Sequence, residues 1–118
     1  MQNVLKRNGK IEEFNSSKIE NAIIKAGAVT NEIDEKAAKN LTRNVLKIIK
    51  DFVRNKESNL KSPTIEEIQD IVEQVLLSSK YKSTAKAYIL YREQHKKIRE
   101  FVENASVNMI DDYLKQLD

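Results

Sequence analysis

The sequence predicts a mostly helical α+β domain, a bundle of about four helices capped by a small N-terminal β-hairpin or three-stranded sheet. Three observations predict it. The 118 residues include only two glycines and one proline, which leaves little material for long irregular loops. The apolar residues are chiefly Ile, Leu, Val and Ala, and they recur at helical spacing in four successive segments. Ahead of the first segment, NVLKRNGKIEEF places apolar residues on both sides of Asn8-Gly9, the preferred centre of a two-residue type I′ turn.

Each element has its own signal. Val4 and Leu5 before the turn, with Ile11 and Phe14 after it, make a hairpin over residues 3–14. A two-stranded hairpin alone is marginal in water, so it must lie on the helices. The first helix is expected to open at the Ser17-x-x-Glu20 capping box, to carry Ile19, Ala22, Ile23 and Ala26 on one face, and to stop at Gly27. The second runs from about Asp34 to Arg54, with Ala38, Leu41, Val45, Ile48, Ile49 and Phe52 along its apolar face. The stretch NKESNLKS breaks the pattern, with a short edge strand expected near Leu60. Pro63 and the Thr64-x-x-Glu67 box open a third helix striped by Ile68, Ile71, Val72, Val75 and Leu76. A fourth begins near Ser83 and carries Ala85, Tyr88, Ile89 and, further on, Ile98, Phe101 and Val102. The tail, VNMIDDYLKQLD, is expected to add one short helix.

Composition narrows the function. The chain is 40% apolar and 33% charged, ordinary values for a globular domain. No apolar run approaches the roughly 20 residues of a membrane span, and the opening MQNVLKRNGK has no signal-peptide core. There is no cysteine, hence no disulfide framework and no thiolate metal site. A cytoplasmic location is the expectation, with no membrane partner. The net charge of +3 suits a small anion, or no ligand at all, better than a DNA surface, so no nucleic-acid partner is expected.

Polar chemistry is densest around the hairpin and first helix, at Lys6, Arg7, Glu12, Asn15 and Lys18. Three of these are cations within thirteen residues, folded back towards a helix start. A helix N-terminus offers unpaired N–H groups and a positive dipole end, both favourable to phosphate. Lys6 and Arg7 are neighbours on the expected strand, so they reach one ligand only at the hairpin's end or edge. A charge-assisted hydrogen bond is worth roughly 1.5–3 kcal/mol, so three cations on one triphosphate suffice for micromolar binding. A solvated turn and a solvated helix residue explain the same cations without any ligand, and residue chemistry alone does not identify a nucleotide.

Other residues carry ordinary readings. His95, the sole histidine, lacks a metal-ligand partner and fits a surface or capping role. Tyr88 has core spacing, and Tyr81 and Tyr91 near Arg92 admit base stacking or packing. The Glu66-Glu67 and Asp111-Asp112 pairs fit capping and solvation. Neither a P-loop nor a G-x-G-x-x-G is present, so binding without turnover is expected and the catalytic set is empty.

The segment VLKRNGKIEEFNSSKIENAIIKA, from Val4 to Ala26, resembles the opening signature of the ATP-cone family. TIEEIQDIVE from Thr64 and AKAYILYR from Ala85 resemble that family's third and fourth helices, in the right order. One departure is Asn8, where the family more often has Asp; Asn-Gly serves the turn equally well. The resemblance implies a nucleotide site. Lys6, Arg7 and Lys18 match its phosphate contacts, and Glu12 and Asn15 its polar groups near sugar and base. Ile68 and Gln69 match positions flanking the adenine, Arg92 a basic group approaching phosphate, and Val4 an apolar position under the base. The implied ligands are ATP and dATP, with Mg²⁺ accompanying the nucleotide.

Two parents from the family come into question. A transcriptional repressor of ribonucleotide reductase genes carries a zinc ribbon before its cone, and the absence of cysteine speaks against it. The other is a ribonucleotide reductase large subunit, where the cone acts as an activity switch, ATP activating and dATP inhibiting. MIDDYLKQLD from Met109 resembles the approach to the catalytic barrel of the anaerobic, glycyl-radical, triphosphate-reducing enzymes. On this reading residues 1–103 form the cone, 104–118 lead to a catalytic domain of the same polypeptide, and the parent is a homo-oligomer. A helical interaction module without ligand is the remaining alternative.

Overall fold

The computed structural model describes residues 3–55 and 62–104. The expectations near Leu60 and over residues 105–118 lie outside the described residues. The order is β1 (Asn3–Leu5), β2 (Ile11–Glu13), α1 (Ser16–Thr30), α2 (Glu35–Arg54), α3 (Ile65–Ser78) and α4 (Lys82–Asn104). The mostly helical α+β class and the hairpin-capped bundle are therefore as the sequence indicates.

The hairpin is antiparallel, pairing Asn3 with Glu13, Val4 with Glu12 and Leu5 with Ile11. Its turn differs from the expected type I′ form. The Lys6 N–H donates to the Lys10 carbonyl at 2.8 Å and the Gly9 N–H to the Lys6 carbonyl at 3.0 Å, which closes a three-residue loop, Arg7-Asn8-Gly9. Within this loop only Gly9 has positive φ, +84°. This is the pattern of an ordinary turn followed by one left-handed residue, which spares Asn8 the left-handed region. The Asn8 side chain instead accepts from the Lys10 N–H at 3.0 Å. Lys6 consequently closes the loop and Arg7 sits within it, neither of them on β1. On its other edge β1 meets the start of α3: the Leu5 N–H donates to the Pro63 carbonyl at 2.9 Å, and Leu5 bridges Thr64 in parallel.

The helix starts follow capping chemistry, with one correction. Asn15, not Ser17, caps α1, its Oδ1 accepting from the Ser17 N–H at 3.0 Å and the Ser17 hydroxyl at 2.6 Å. Asp34 caps α2 through the Ala37 N–H at 2.8 Å. Thr64 and Glu67 form the expected reciprocal box on α3. Lys82 and Ser83 open α4, whose Ser83 and Thr84 N–H groups both donate to the Glu32 carboxylate at 3.2 Å.

Gly27 does not end α1. The helix runs on to Thr30, and Asn31 takes the left-handed capping position at φ 57°. Gly27 is there for proximity: a Cβ on it would lie 2.7 Å from the Ile33 Cβ. Its absent side chain lets the α1–α2 connection fold tightly back on the helix.

Both α1 and α3 pack against α2 and α4, so the helices enclose one core. Ile23, Val45, Ile49 and Leu76 are at its centre, each contributing roughly 1.5–3 kcal/mol on burial. Val4 is the hairpin's buried contribution. Ile48, expected on the α2 core face, is 41% exposed, because Val45 and Ile49 already fill the contact. Ile98, Phe101 and Val102 are also exposed. The 23 residues of α4 span about 35 Å and the 14 of α3 about 21 Å, so the end of α4 outruns its neighbours.

Candidate functional site

The hairpin lies against the N-terminal ends of α1 and α3, and between them opens a cleft of about 230 Å³. Val4, Glu12 and Glu13 come from the hairpin, and Phe14 and Asn15 from the junction to α1. Lys18, Ile19 and Ala22 line the α1 wall, while Ile65, Ile68, Gln69 and Val72 line the α3 wall; Tyr88 of α4 completes the lining. The exposed lining is mainly apolar, with Glu12, Glu13, Asn15, Lys18 and Gln69 as its polar residues beside the Tyr88 phenol. This volume falls below the roughly 300–1,000 Å³ of pockets that bury a whole drug-sized ligand. It suits a flat ring with the rest of the molecule left outside. Burial pushes the Tyr88 phenol up to about 12, so that ring stays neutral.

Cations gather in two groups beside this cleft. Lys6 and Lys18 converge on the Glu12 carboxylate, at 3.6 and 3.9 Å. Arg7 and Arg92 converge on Glu66 and Gln69. Arg7 donates through Nε to Glu66 Oε1 at 2.7 Å and through Nη2 to Gln69 Oε1 at 3.2 Å. Arg92 donates through Nε to that same Gln69 oxygen at 3.2 Å, and pairs with Glu66 at 3.2 Å, Asp70 at 2.7 Å and Glu73 at 3.3 Å. Arg99 lies 3.8 Å from Glu66. Gln69 joins the two regions, lining the cleft while accepting from both arginines.

The electrostatics follow from these contacts. Partial burial pushes the Glu66 carboxyl up, but hydrogen bonds and charge from Arg7 and Arg92 outweigh it and hold the group below the usual carboxylate range. Burial alone would lower Arg92; its bonds to Asp70 and Glu66 raise it instead. Both groups are ionised at neutral pH.

Of the nine residues singled out from the sequence, Val4, Glu12, Asn15, Lys18, Ile68 and Gln69 line the cleft. Lys6 is tied to it through Glu12, and Arg7 and Arg92 through Gln69. Sequence reasoning missed Phe14, Tyr88 and above all Glu66. The Glu66-Glu67 pair reads as capping, which fits Glu67 alone; Glu66 instead pairs with an arginine fifty-nine residues away. His95 is exposed and stacks on Tyr91, with ring centres 4.1 Å apart. Among the described residues no helix is long and apolar enough to cross a membrane.

A short hairpin seated on four helices, with an apolar cleft and cations at their junction, defines a small, mostly helical α+β class of module. The ATP cone domain family matches residues 2–97, and the chain belongs to that family. It is similar, at 39% identity over 85% of its length, to the vitamin B12-dependent ribonucleoside-diphosphate reductase of Thermoplasma acidophilum, covering 13% of that protein. The anaerobic ribonucleoside-triphosphate reductase of Haemophilus influenzae is 37% identical over 82% of the chain and 13% of that enzyme. The ribonucleoside-diphosphate reductase subunit alpha of Chlamydia muridarum is 35% identical over 82% of the chain and 10% of the subunit. The chain thus spans between a tenth and an eighth of the length of these curated relatives.

Proposed function

We propose that the chain is the ATP- and dATP-binding regulatory module of a ribonucleotide reductase, of the anaerobic triphosphate-reducing kind. The observation that supports it best is the convergence of Lys6 and Lys18 on one carboxylate at the edge of an apolar, ring-sized cleft. The base enters between Val4 and Ile68, with Gln69 at its edge and Glu12 and Asn15 near the sugar. The triphosphate runs outward to Lys6, Lys18, Arg7 and Arg92, with Mg²⁺ accompanying it. Residues 1–103 form the module, and 104–118 lead to the catalytic domain of a cytoplasmic parent. The module neither reduces ribonucleotides, having no cysteine to carry a thiyl radical, nor hydrolyses ATP.

The regulatory step follows from energetics. ATP and dATP differ by one 2′-hydroxyl, and one such contact discriminates by about 1–3 kcal/mol. Moving a two-state equilibrium from 1:99 to 99:1 takes about 5.5 kcal/mol. One module with one ligand is therefore a weak switch, whereas several modules coupled through an oligomer add their terms. ATP leaves the parent active, and dATP switches it off by changing quaternary state or the packing of this module, with the outer faces of α3 and α4 and the chain around Tyr113, which lies outside the described residues, as the surface that repacks.

Calorimetry of the chain with ATP and dATP tests the binding step, and saturable binding of both is expected. Mass measurement of the full-length parent with each effector tests the switch. Identical oligomers, with identical proteolytic exposure of the module despite inhibition by dATP, would rule it out.

A further inference from the structure

We propose that Glu66 is a specificity-determining counter-ion that occupies the two arginines until a polyphosphate displaces it. This deepens the nucleotide reading above and rests on it for the ligand's identity. Around Arg92 the charges balance: Arg7, Arg92 and Arg99 face Glu66, Asp70 and Glu73. At the cleft edge the pairing is looser: among the described residues Lys6 and Lys18 pair with Glu12 at 3.6 and 3.9 Å, and the Lys18 side chain is 70% exposed. The loosely paired cations open to an incoming anion are thus the lysines, whereas the arginines, held at 2.7–3.3 Å, offer nothing until a carboxylate leaves.

Glu66 is the carboxylate placed to leave. It sits in the first turn of α3, its side chain is half exposed, and among the described residues it is the one carboxylate that touches both Arg7 and Arg92. Asp70 and Glu73 pair with Arg92 alone among the arginines, so they can stay as Glu66 rotates towards solvent. Gln69, neutral and bonded to both guanidinium groups, keeps the arginines aligned during the exchange. A triphosphate anchored at the lysines then supplies the charge that Glu66 withdraws, and its cost of entry is the lost pairing. A weakly charged anion stays at the lysines.

The sign of one substitution separates this role from a structural one. If Glu66 merely tethers the hairpin loop to α3, Glu66→Gln loosens the site and weakens binding. If it competes with phosphate, Glu66→Gln tightens it. We expect the variant to bind inorganic tripolyphosphate about three- to tenfold more tightly than the wild type, the gain expected from removing partly exposed ion pairs. Equal or weaker binding by the folded variant overturns the proposal. A second readout needs no variant: the Glu66 carboxyl, followed by NMR titration in the wild type, should titrate higher once tripolyphosphate saturates the site, and an unchanged titration overturns the exchange. ATP run beside tripolyphosphate keeps the two readings apart. Tripolyphosphate tightening without any ATP binding supports the exchange and sinks the nucleotide reading. ATP binding with no gain in Glu66→Gln does the reverse.

Discussion

Replacing Arg7 by Ala separates the part of the cluster that holds the fold from the part that holds the ligand. In the structure Arg7 makes two side-chain bonds, to Glu66 at 2.7 Å and to Gln69 at 3.2 Å, and its side chain is a third exposed. A partly exposed ion pair of this kind stabilises a fold by about 0.2–1 kcal/mol. The hairpin keeps its other attachments, the Leu5 N–H to Pro63 bond and the buried Val4. Thermal stability should therefore fall by no more than a few degrees. Against phosphate the same guanidinium is worth roughly 1.5–3 kcal/mol, from which the forfeited pairing with Glu66 must be subtracted. The net loss is about 1–2 kcal/mol, or roughly five- to thirtyfold in Kd. Calorimetry with ATP, beside a thermal melt of the same preparation, measures both. Unchanged affinity, or a loss of affinity matched by wholesale unfolding, would refute the reasoning.

Other expectations address the fold and its pH response. Gly27→Ala should destabilise by about 1–3 kcal/mol in urea titration, because the new Cβ meets Ile33 and overpacking outweighs the gain of up to about 1 kcal/mol in helix propensity; an unchanged or higher midpoint would contradict the close contact. Thr64→Ala removes the side-chain half of the α3 capping box, and about 1 kcal/mol should be lost in the same assay. Glu32 and Glu66 both ionise below their ordinary value of 4.5 in the folded chain. Each thus binds fewer protons folded than unfolded, so its contribution is present above 4.5 and drains away as pH falls below it. For Glu32 burial opposes the shift, and hydrogen bonds from Thr84 and Ser83 at the start of α4 overcome it. Glu32→Gln should flatten the acid limb of the stability–pH curve, and an acid limb identical to wild type would show that this cap carries no charge-dependent stability.

Local patterns in the chain specify its helices and the apolar side of the cleft. Apolar residues three and four apart can meet only on a helix, so Ile68, Ile71, Val72 and Val75 define α3 and its buried face without reference to anything distant. Thr64 and Glu67 cap that helix by contacts within one turn, which is why both were legible. Lys18 is placed at the start of α1 by that helix's own pattern, whereas Val4 and Gln69 join the candidate site only through the resemblance to the family. Tertiary structure decided what local rules leave open. Gly27 carries the same residue type that ends helices, and only the approach of Ile33 shows that it serves packing. Asn15 and Ser17 are both good caps, and the entry angle of the chain from β2 selects Asn15. Lys6 and Arg7, adjacent in sequence, go to different carboxylates because the turn adds a third residue and sends them apart. Glu66 looks like half of a capping pair until α3 lies beside the hairpin and α4. Its partners are then set by Coulomb attraction across fifty-nine and twenty-six residues, a range over which no local pattern in the chain can report.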